Sequence, residues 1–202
     1  MTETERLYYD LRAAEYDDFY LGTGLFAQRV RPGWAEELAT LIATLGSLRF
    51  GSFLDVACGT GFLTESLHGR VTGLDQSASM LAIARSRIPG ASFVRGDALA
   101  MPFRSAQFDC LDAGHFYGHL DETARRLFLA EARRVSKSIL VIDAAQRDEV
   151  PPEEYQERVL NDGSRHVVYK RYFTPERMIA EIGGGHILQV GRWFVAVLIS
   201  NS

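Results

Sequence analysis

Residues 53–62 read FLDVACGTGF, an apolar run that ends in an acid and is followed by two glycines one residue apart. This pattern predicts a strand that passes into a tight turn. Glycine suits such a turn because it adopts conformations other residues avoid and lets the backbone approach a ligand closely. We therefore expect a ligand at this turn, and the residues around it indicate which class of ligand fits.

The bulk composition is that of an ordinary globular protein. The chain has 202 residues, of which 47% are hydrophobic and 24% charged, and its formal net charge is −4. This length suits one domain spanning 1–202, and the acidic balance lacks the basic footprint typical of nucleic-acid binding. The first residues, MTETERLYYD, carry no apolar signal-peptide core, and the apolar runs are too short to span a membrane. We expect a soluble protein of a reducing cytoplasm without a membrane partner.

Strand and helix patterns alternate along the chain. Strands are predicted over 52–57, 70–75, 91–97, 108–114 and 138–145, and helices over 5–20, 32–46, 61–69, 77–88, 121–135 and 174–183. The segments 186–191 and 193–200 predict a final antiparallel strand pair. The expected fold is α/β: a doubly wound, mostly parallel seven-stranded sheet that ends in this pair. Ligands of such sheets bind beyond the carboxyl ends of the strands.

The glycine pattern favours a cationic ligand over a dinucleotide. A dinucleotide fingerprint has a third small residue where this chain has Thr64. Asp55 precedes the glycines, where an anion would oppose a pyrophosphate but attract the ammonium and sulfonium of S-adenosylmethionine. Asp75 ends the second strand and suits ribose hydroxyls in either class, whereas Asp97 ends the third strand and suits an adenine edge.

Four segments in order resemble the successive motifs of class I S-adenosylmethionine-dependent methyltransferases: FLDVACGTG, VTGLDQS, FVRGDALAMPF and FDCLDAGHFYGHL. The resemblance covers about residues 50–145, and YFTPERMIAEIGG is similar to the family's last helix and strand pair. It implies the Rossmann-like methyltransferase fold, S-adenosyl-L-methionine as cofactor and methyl transfer as activity.

The resemblance also implies roles for individual residues. The backbone at Gly59 and Gly61 would lie close to the methionine part of the cofactor, and Asp55 would orient the ammonium group of that part. Asp75 would hold the ribose. Asp97 and the Ala98 amide would form hydrogen bonds with the adenine, which would lie between the side chains of Met80 and Leu99. Residues 113–116 would line the site beneath the sulfonium. The full predicted cofactor set is Tyr16, Asp55, Ala57, Cys58, Gly59, Gly61, Asp75, Gln76, Met80, Asp97, Ala98, Leu99, Ala113 and Gly114, with Cys58 interpreted as packing rather than chemistry.

The candidates for a general base are His115 and His119, just past the fourth strand. The alternative is that both histidines only pack or contact the rim of the cofactor. Methyl transfer from an activated sulfonium needs a base only for some acceptors. No three-acid cluster suggests a metal, and the two cysteines, Cys58 and Cys110, lack metal-ligand spacing.

Two segments are predicted to cover the site. Residues 1–30 resemble the N-terminal segment that closes over the cofactor in small-molecule members, with Tyr16 and Tyr20 as candidate contacts; alternatively, these aromatics only cover the sheet. Residues 146–173 form a lid-like hairpin insertion, because Asp162-Gly163 lies between two β-rich runs. Its positively charged residues would either bind an anionic acceptor or only face solvent. They are Arg158, Arg165, Lys170 and Arg171.

The main functional hypothesis is methyl transfer to an oxygen or nitrogen of a small-molecule acceptor. An RNA or protein methyltransferase is one alternative. A nucleic-acid acceptor is disfavoured by the acidic pI of about 5.8. It is also disfavoured because the segment after the fourth strand reads DAGH, where enzymes that bind a flipped base carry a Pro-Pro-aromatic motif. A non-catalytic S-adenosylmethionine-binding protein is the other. The sequence leaves the oligomeric state open, with a dimer as one option.

Overall fold

The computed structural model describes residues 3–200, and their side chains from residue 7 onward. The six α-helices in this range are α1 (Glu3–Arg12), α2 (Asp18–Leu21), α3 (Trp34–Ser47), α4 (Ala78–Arg87), α5 (Glu122–Val135) and α6 (Pro175–Ile182). The nine strands are β1 (Ser52–Val56), β2 (Arg70–Asp75), β3 (Ser92–Arg95), β4 (Cys110–Gly114), β5 (Ser138–Ala144), β6 (Glu153–Val159), β7 (Arg165–Arg171), β8 (His186–Val190) and β9 (Phe194–Ser200).

Seven of these strands form one sheet in the order β3-β2-β1-β4-β5-β9-β8. Strands β1 to β5 pair in parallel, and β9 runs antiparallel to both β5 and β8. The predicted fold class is therefore confirmed. The strand order reverses between β1 and β4, so the crevice at their carboxyl ends is where such a sheet binds ligands.

Helices cover both faces of the sheet because its central strands are apolar on both sides. On one face, α5 and α6 pack on Leu54, Leu111 and Val141. On the other face, α3 and the N-terminal segment pack on Phe53, Cys110 and other buried side chains. Side chains alternate along a strand, so Asp55 and Asp112, two residues beyond Phe53 and Cys110, point toward the N-terminal segment.

Two predicted helices differ from the structure. The segment over 5–20 is broken into α1, a 3₁₀ turn at Ala13–Glu15 and α2. The helix expected over 61–69 is only a 3₁₀ turn at Thr64–Ser66. There the Thr64 hydroxyl donates a hydrogen bond to the Asp55 carboxylate, and Leu67 is already extended. Tertiary contacts at this point outweigh the weak local preference for a helix.

The predicted hairpin is present as a separate two-stranded sheet of β6 and β7. Its register places Arg158 opposite His166 and Glu154 opposite Lys170. Lys170, only 5% exposed, donates to the Asp143 carboxylate at 2.5 Å. This ion pair anchors the hairpin at the carboxyl end of β5. Over residues 3–200, no helix has the length and apolarity needed to cross a membrane.

Candidate active site

The turn after β1 brings backbone close to the N-terminal segment. Ala57 and Gly59 both adopt positive φ, 57° and 54°. The Gly59 amide donates to the Asp75 carboxylate at 2.9 Å, which ties the turn to the end of β2. A Cβ at Gly59 would come 3.4 Å from the Tyr16 ring, and the positive φ there favours glycine. The opening stretch thus forms a narrow backbone cradle.

Asp55 and Asp112 are adjacent carboxyls on neighbouring strands. The register pairs them directly across β1 and β4, and they are 4% and 0% exposed. Thr64 donates to Asp55, whereas within the described part of the chain neither carboxyl oxygen of Asp112 has a hydrogen-bond partner. Burial raises the pKa of Asp55 to about 7 despite the hydrogen bond from Thr64. Burial and the charge of Asp55 raise the pKa of Asp112 well above its ordinary value.

Among the side chains of residues 7–200, no cation forms an ion pair with Asp55 or Asp112. Buried carboxyls are normally paired or fully hydrogen-bonded, because desolvation penalises their charged form. Both carboxyls line a small cavity together with Tyr16, Cys58 and Gly114. A positively charged group placed there would relieve the mutual repulsion of the two acids and satisfy the unpartnered oxygens of Asp112.

The main cavity, about 430 Å³, adjoins this pair, since Tyr16 and Ala57 line both cavities. Its volume lies within the ~300–1,000 Å³ of small-molecule sites. The Asp97 carboxylate accepts from the Leu99 amide at 2.9 Å, which holds it at the cavity wall. Predicted residues that line the main cavity are Tyr16, Ala57, Gly59, Asp75, Gln76, Met80, Asp97, Ala98, Leu99, His115 and His119.

Two predicted residues lie elsewhere. Gly61 and Ala113 line neither of these cavities within the described chain. Gly61 instead lies against the end of α4, because a Cβ there would come 3.4 Å from Ala84 and 3.3 Å from the side chain of Ile88, the residue after this helix. Ala113 is fully buried in the core beneath α5 and α6. Their predicted contacts with a cofactor would therefore have to be made through the backbone or through neighbouring residues.

Both candidate histidines lie at the cavity and are neutral. The Nδ1 atom of His119 lies 2.7 Å from the Tyr169 carbonyl oxygen; a carbonyl only accepts, so this nitrogen donates and Nε2 keeps its lone pair. Burial, followed by the nearby charge of Lys170, lowers the pKa of His119 to about 3. Burial lowers the pKa of His115 to about 4, and its Nε2 has no hydrogen-bond partner.

An ion pair beneath the histidines fixes the loop that carries them. The Asp143 carboxylate accepts from Lys170 and, at 2.6 Å, from the Gly118 amide. A Cβ at Gly118 would come 2.6 Å from the Arg171 carbonyl oxygen, so the loop needs glycine here to lie against the hairpin. Lys170, which the sequence placed near the mouth as a free charge, is therefore a buried structural cation.

The N-terminal segment lies over the turn and α4. Asp17 accepts from the Thr60 hydroxyl at 2.5 Å and forms an ion pair with Arg87. Asp10 accepts from the Ser77 hydroxyl at 2.5 Å. Tyr20 stacks on Phe62 with ring centroids 4.3 Å apart. These contacts hold Tyr16 against the cradle.

Sequence reasoning missed Asp112, Tyr9 and Val168, which line the cavities. An acid inside the otherwise apolar run CLDAG was the available signal for Asp112. Tyr9 and Val168 come from the N-terminal segment and the hairpin, whose docking no local pattern specifies. No group of three or more potential metal-ligating side chains converges among the residues that the structure describes.

Comparison with known proteins supports the interpretation of the motifs. A family profile described as "Methyltransferase domain" matches residues 53–138. Demethylmenaquinone methyltransferase of Thermotoga maritima is 35% identical over 109 residues, 52% of this chain and 45% of that protein. Phthiotriol/phenolphthiotriol dimycocerosates methyltransferase of Mycobacterium tuberculosis H37Rv is 44% identical over 92 residues, 41% of this chain and 32% of that protein. The chain thus spans less than half the length of these curated relatives.

Solved structures match over nearly the whole chain. A structure described as a DhpI–SAM–HEP complex has a TM-score of 0.77 and 21% identity, covering 97% of this chain and 95% of that one. The PH0226 protein of Pyrococcus horikoshii OT3 has a TM-score of 0.69 and 18% identity, covering 93% and 99%. These likenesses establish the fold. Residues 53–138 are thus similar to a methyltransferase domain, and the chain shares its fold with these solved structures.

Proposed function

We propose that the chain transfers a methyl group from S-adenosyl-L-methionine to an oxygen or nitrogen of a small-molecule acceptor. The observation that carries this proposal is the buried pair of Asp55 and Asp112 beside the Gly59 cradle. A dinucleotide phosphate would add negative charge to this site. The ammonium of S-adenosylmethionine would supply the missing cation, and Asp112 offers two unpartnered oxygens to receive it.

The remaining wall of the cavity suits the rest of the cofactor. Asp75 holds the turn through its contacts with the Gly59 and Ser77 amides and keeps lone pairs for ribose hydroxyls. Asp97 lies further along the same wall with Met80 and Leu99, an arrangement that suits an adenine between two apolar side chains. The cofactor, when bound, supplies an electrophilic methyl group on a positively charged sulfur.

The chain's own contribution is positioning and proton acceptance. Methyl transfer breaks the sulfur–carbon bond and forms a bond to the acceptor atom, and a protonated acceptor must then release its proton. The Nε2 of His119, oriented by the Tyr169 carbonyl, can accept a hydrogen bond from an acceptor hydroxyl or amine. A pKa of about 3 makes His119 a weak base, but it suffices for the strongly acidic proton of a newly methylated hydroxyl. Much of the rate would come from alignment in a desolvated cavity.

We infer that residues 1–30 cover the cofactor and that residues 146–173 act as a lid over the acceptor, within one domain spanning 1–202. Residues 1, 2, 201 and 202 lie outside the described residues. Contacts between the two covers support this division. Tyr8 packs with Leu160 and Val168 of the hairpin, and Glu15 accepts from the Asn161 amide at 2.9 Å. An acceptor would enter between them.

The names of the relatives favour a small acceptor. The Thermotoga relative is named for demethylmenaquinone, and a 2-phytyl-1,4-naphtoquinone methyltransferase of Thermosynechococcus vestitus is 45% identical over 71 residues. A glycopeptide N-methyltransferase, MtfA, shares the fold with a TM-score of 0.61 and 22% identity. A protein or RNA acceptor remains the rival proposal.

The test is transfer of label from methyl-labelled S-adenosylmethionine. The purified chain is incubated with fractions of a cell extract: small molecules, RNA and protein. We expect label in a small product that mass spectrometry identifies as methylated on oxygen or nitrogen. Label confined to RNA or protein would overturn the acceptor class. Binding of the cofactor without label in any fraction would favour a non-catalytic binding protein.

A further inference from the structure

Arg12 and Arg158, one next to the hairpin and one in it, have no carboxylate partner among the side chains of residues 7–200. Arg12 ends α1, and Arg158 is on the inner face of β6; both are partly buried. No ion pair joins either of them to an acid among the side chains described, residues 7–200. The other positively charged residues of the hairpin differ, because Arg165, Lys170 and Arg171 each form an ion pair with a carboxylate.

Arg12 contacts aromatic side chains, whereas Arg158 keeps a nitrogen atom without a hydrogen-bond partner among the described residues. Arg12 donates to the Tyr8 hydroxyl at 2.6 Å, and its guanidinium lies 5.0 Å from the centre of the Tyr16 ring. The Nε atom of Arg158 is buried and has no hydrogen-bond partner. Burial lowers the pKa of Arg158, and the like charge of Arg12 lowers it further. Arg158, a partly desolvated guanidinium that faces the like charge of Arg12, is costly to bury unless an anion joins it.

The arginines lie next to residues that line the main cavity, although neither arginine lines it itself. Tyr16, against which Arg12 packs, lines that cavity together with Tyr9 and Val168. The Tyr8 ring, which lies over Arg12, is 5.0 Å from the ring of His166, the residue paired with Arg158 across the hairpin. α1 and the hairpin thus bring one guanidinium each close to residues that line the same part of the cavity.

We propose that Arg12 and Arg158 form an oxyanion subsite for the acceptor, which therefore carries a carboxylate, phosphate, phosphonate or sulfate group. This inference rests on the proposed function for the acceptor but concerns a separate set of residues. Guanidiniums present paired N–H donors that match the oxygens of such groups. In a chain of net charge −4, a local pair of unneutralised cations attracts an anionic acceptor to this part of the cavity. The subsite would hold the acceptor at one end while its reacting atom faces the cofactor.

The experiment measures thermal unfolding of the full chain in chloride, inorganic phosphate or acetate at one ionic strength. We expect phosphate or acetate to raise the midpoint of the wild type relative to chloride. Arg158→Gln and Arg12→Gln lose this rise, which corresponds to a loss of affinity of about tenfold or more for each charged hydrogen-bonding partner. Arg165→Gln, an exposed residue of the same hairpin, is the matched control and keeps it.

Two further measurements keep the result interpretable. Arg158→Lys retains the charge and should retain part of the rise, which a misfolded variant would not. Binding of S-adenosylhomocysteine is measured in the same preparations; its absence in the wild type contradicts the proposed function and leaves the oxyanion result standing. The inference is overturned if neither oxyanion stabilises the wild type, or if Arg158→Gln responds as the wild type does. Phosphate and acetate, compared with each other, distinguish a phosphoryl-like from a carboxylate acceptor.

Discussion

The buried carboxyl of Asp55 predicts an unusual dependence of stability on pH. Its pKa is raised from 3.8 to about 7, so between these values the folded chain keeps a proton that the unfolded chain has released. Stability from this group is complete below pH 4 and is lost as pH rises to 7. At about 1.36 kcal/mol for each pH unit, the loss amounts to roughly 4 kcal/mol. In Asp55→Asn, which can still accept from Thr64, this loss is absent.

The assay is urea unfolding without cofactor, followed by circular dichroism at pH 4 and pH 8. We expect the free energy of unfolding of Asp55→Asn, relative to the wild type, to rise by roughly 4 kcal/mol between these values. Asp109→Asn is the control: Lys137 and Ser52 lower the pKa of Asp109 below its ordinary 3.8, so its linked stability changes below about pH 4 and the relative stability of this variant stays nearly constant between pH 4 and pH 8. A relative stability of Asp55→Asn that stays constant with pH would refute the reasoning.

Three other changes have defined outcomes. Lys170→Met leaves Asp143 buried and unpaired, so urea unfolding should show a loss of about 3–5 kcal/mol, partly restored by adding Asp143→Asn; an unchanged midpoint would contradict the anchoring role. Gly59→Val forces a branched side chain against Tyr16 at positive φ, and calorimetry should show S-adenosylmethionine affinity falling about tenfold or more; unchanged affinity would place the cofactor elsewhere. His119→Ala should lower turnover about 10²-fold if the histidine accepts the proton. Protonation of His119 should not reduce wild-type turnover down to about pH 4, since the pKa of His119 is about 3. Unchanged turnover in His119→Ala would exclude its role as proton acceptor.

The fold was largely predictable because each core segment carries its own signal. Strands such as 138–145 are apolar on both faces, and Ser77, Asp121 and Thr174 cap the helices that follow them, as the structure confirms. Errors arose where tertiary contacts outweigh local preference. The segment after Gly61 stays short because the side chain of Thr64 is hydrogen-bonded to Asp55.

The site was predictable where the cofactor motifs are local in sequence. Gly59, Asp75 and Asp97 each end or follow a strand, and the sheet brings such ends together. The acceptor side depends on how two distant segments dock. Lys170 was expected to face either an anionic acceptor or solvent, whereas it is the buried partner of Asp143. Arg158, by contrast, has no ion pair within residues 7–200. No periodicity in residues 146–173 separates these two cations, because the difference depends on which acids the rest of the fold brings near.

We propose that the cleft beyond β1 and β4 binds a sulfonium cofactor. Calorimetric titration of the purified chain with S-adenosylmethionine, and separately with NADH, tests it directly. We predict affinity in the micromolar range for S-adenosylmethionine, lost in Asp75→Ala, and no measurable binding of NADH. Tight binding of NADH without binding of S-adenosylmethionine would contradict the account.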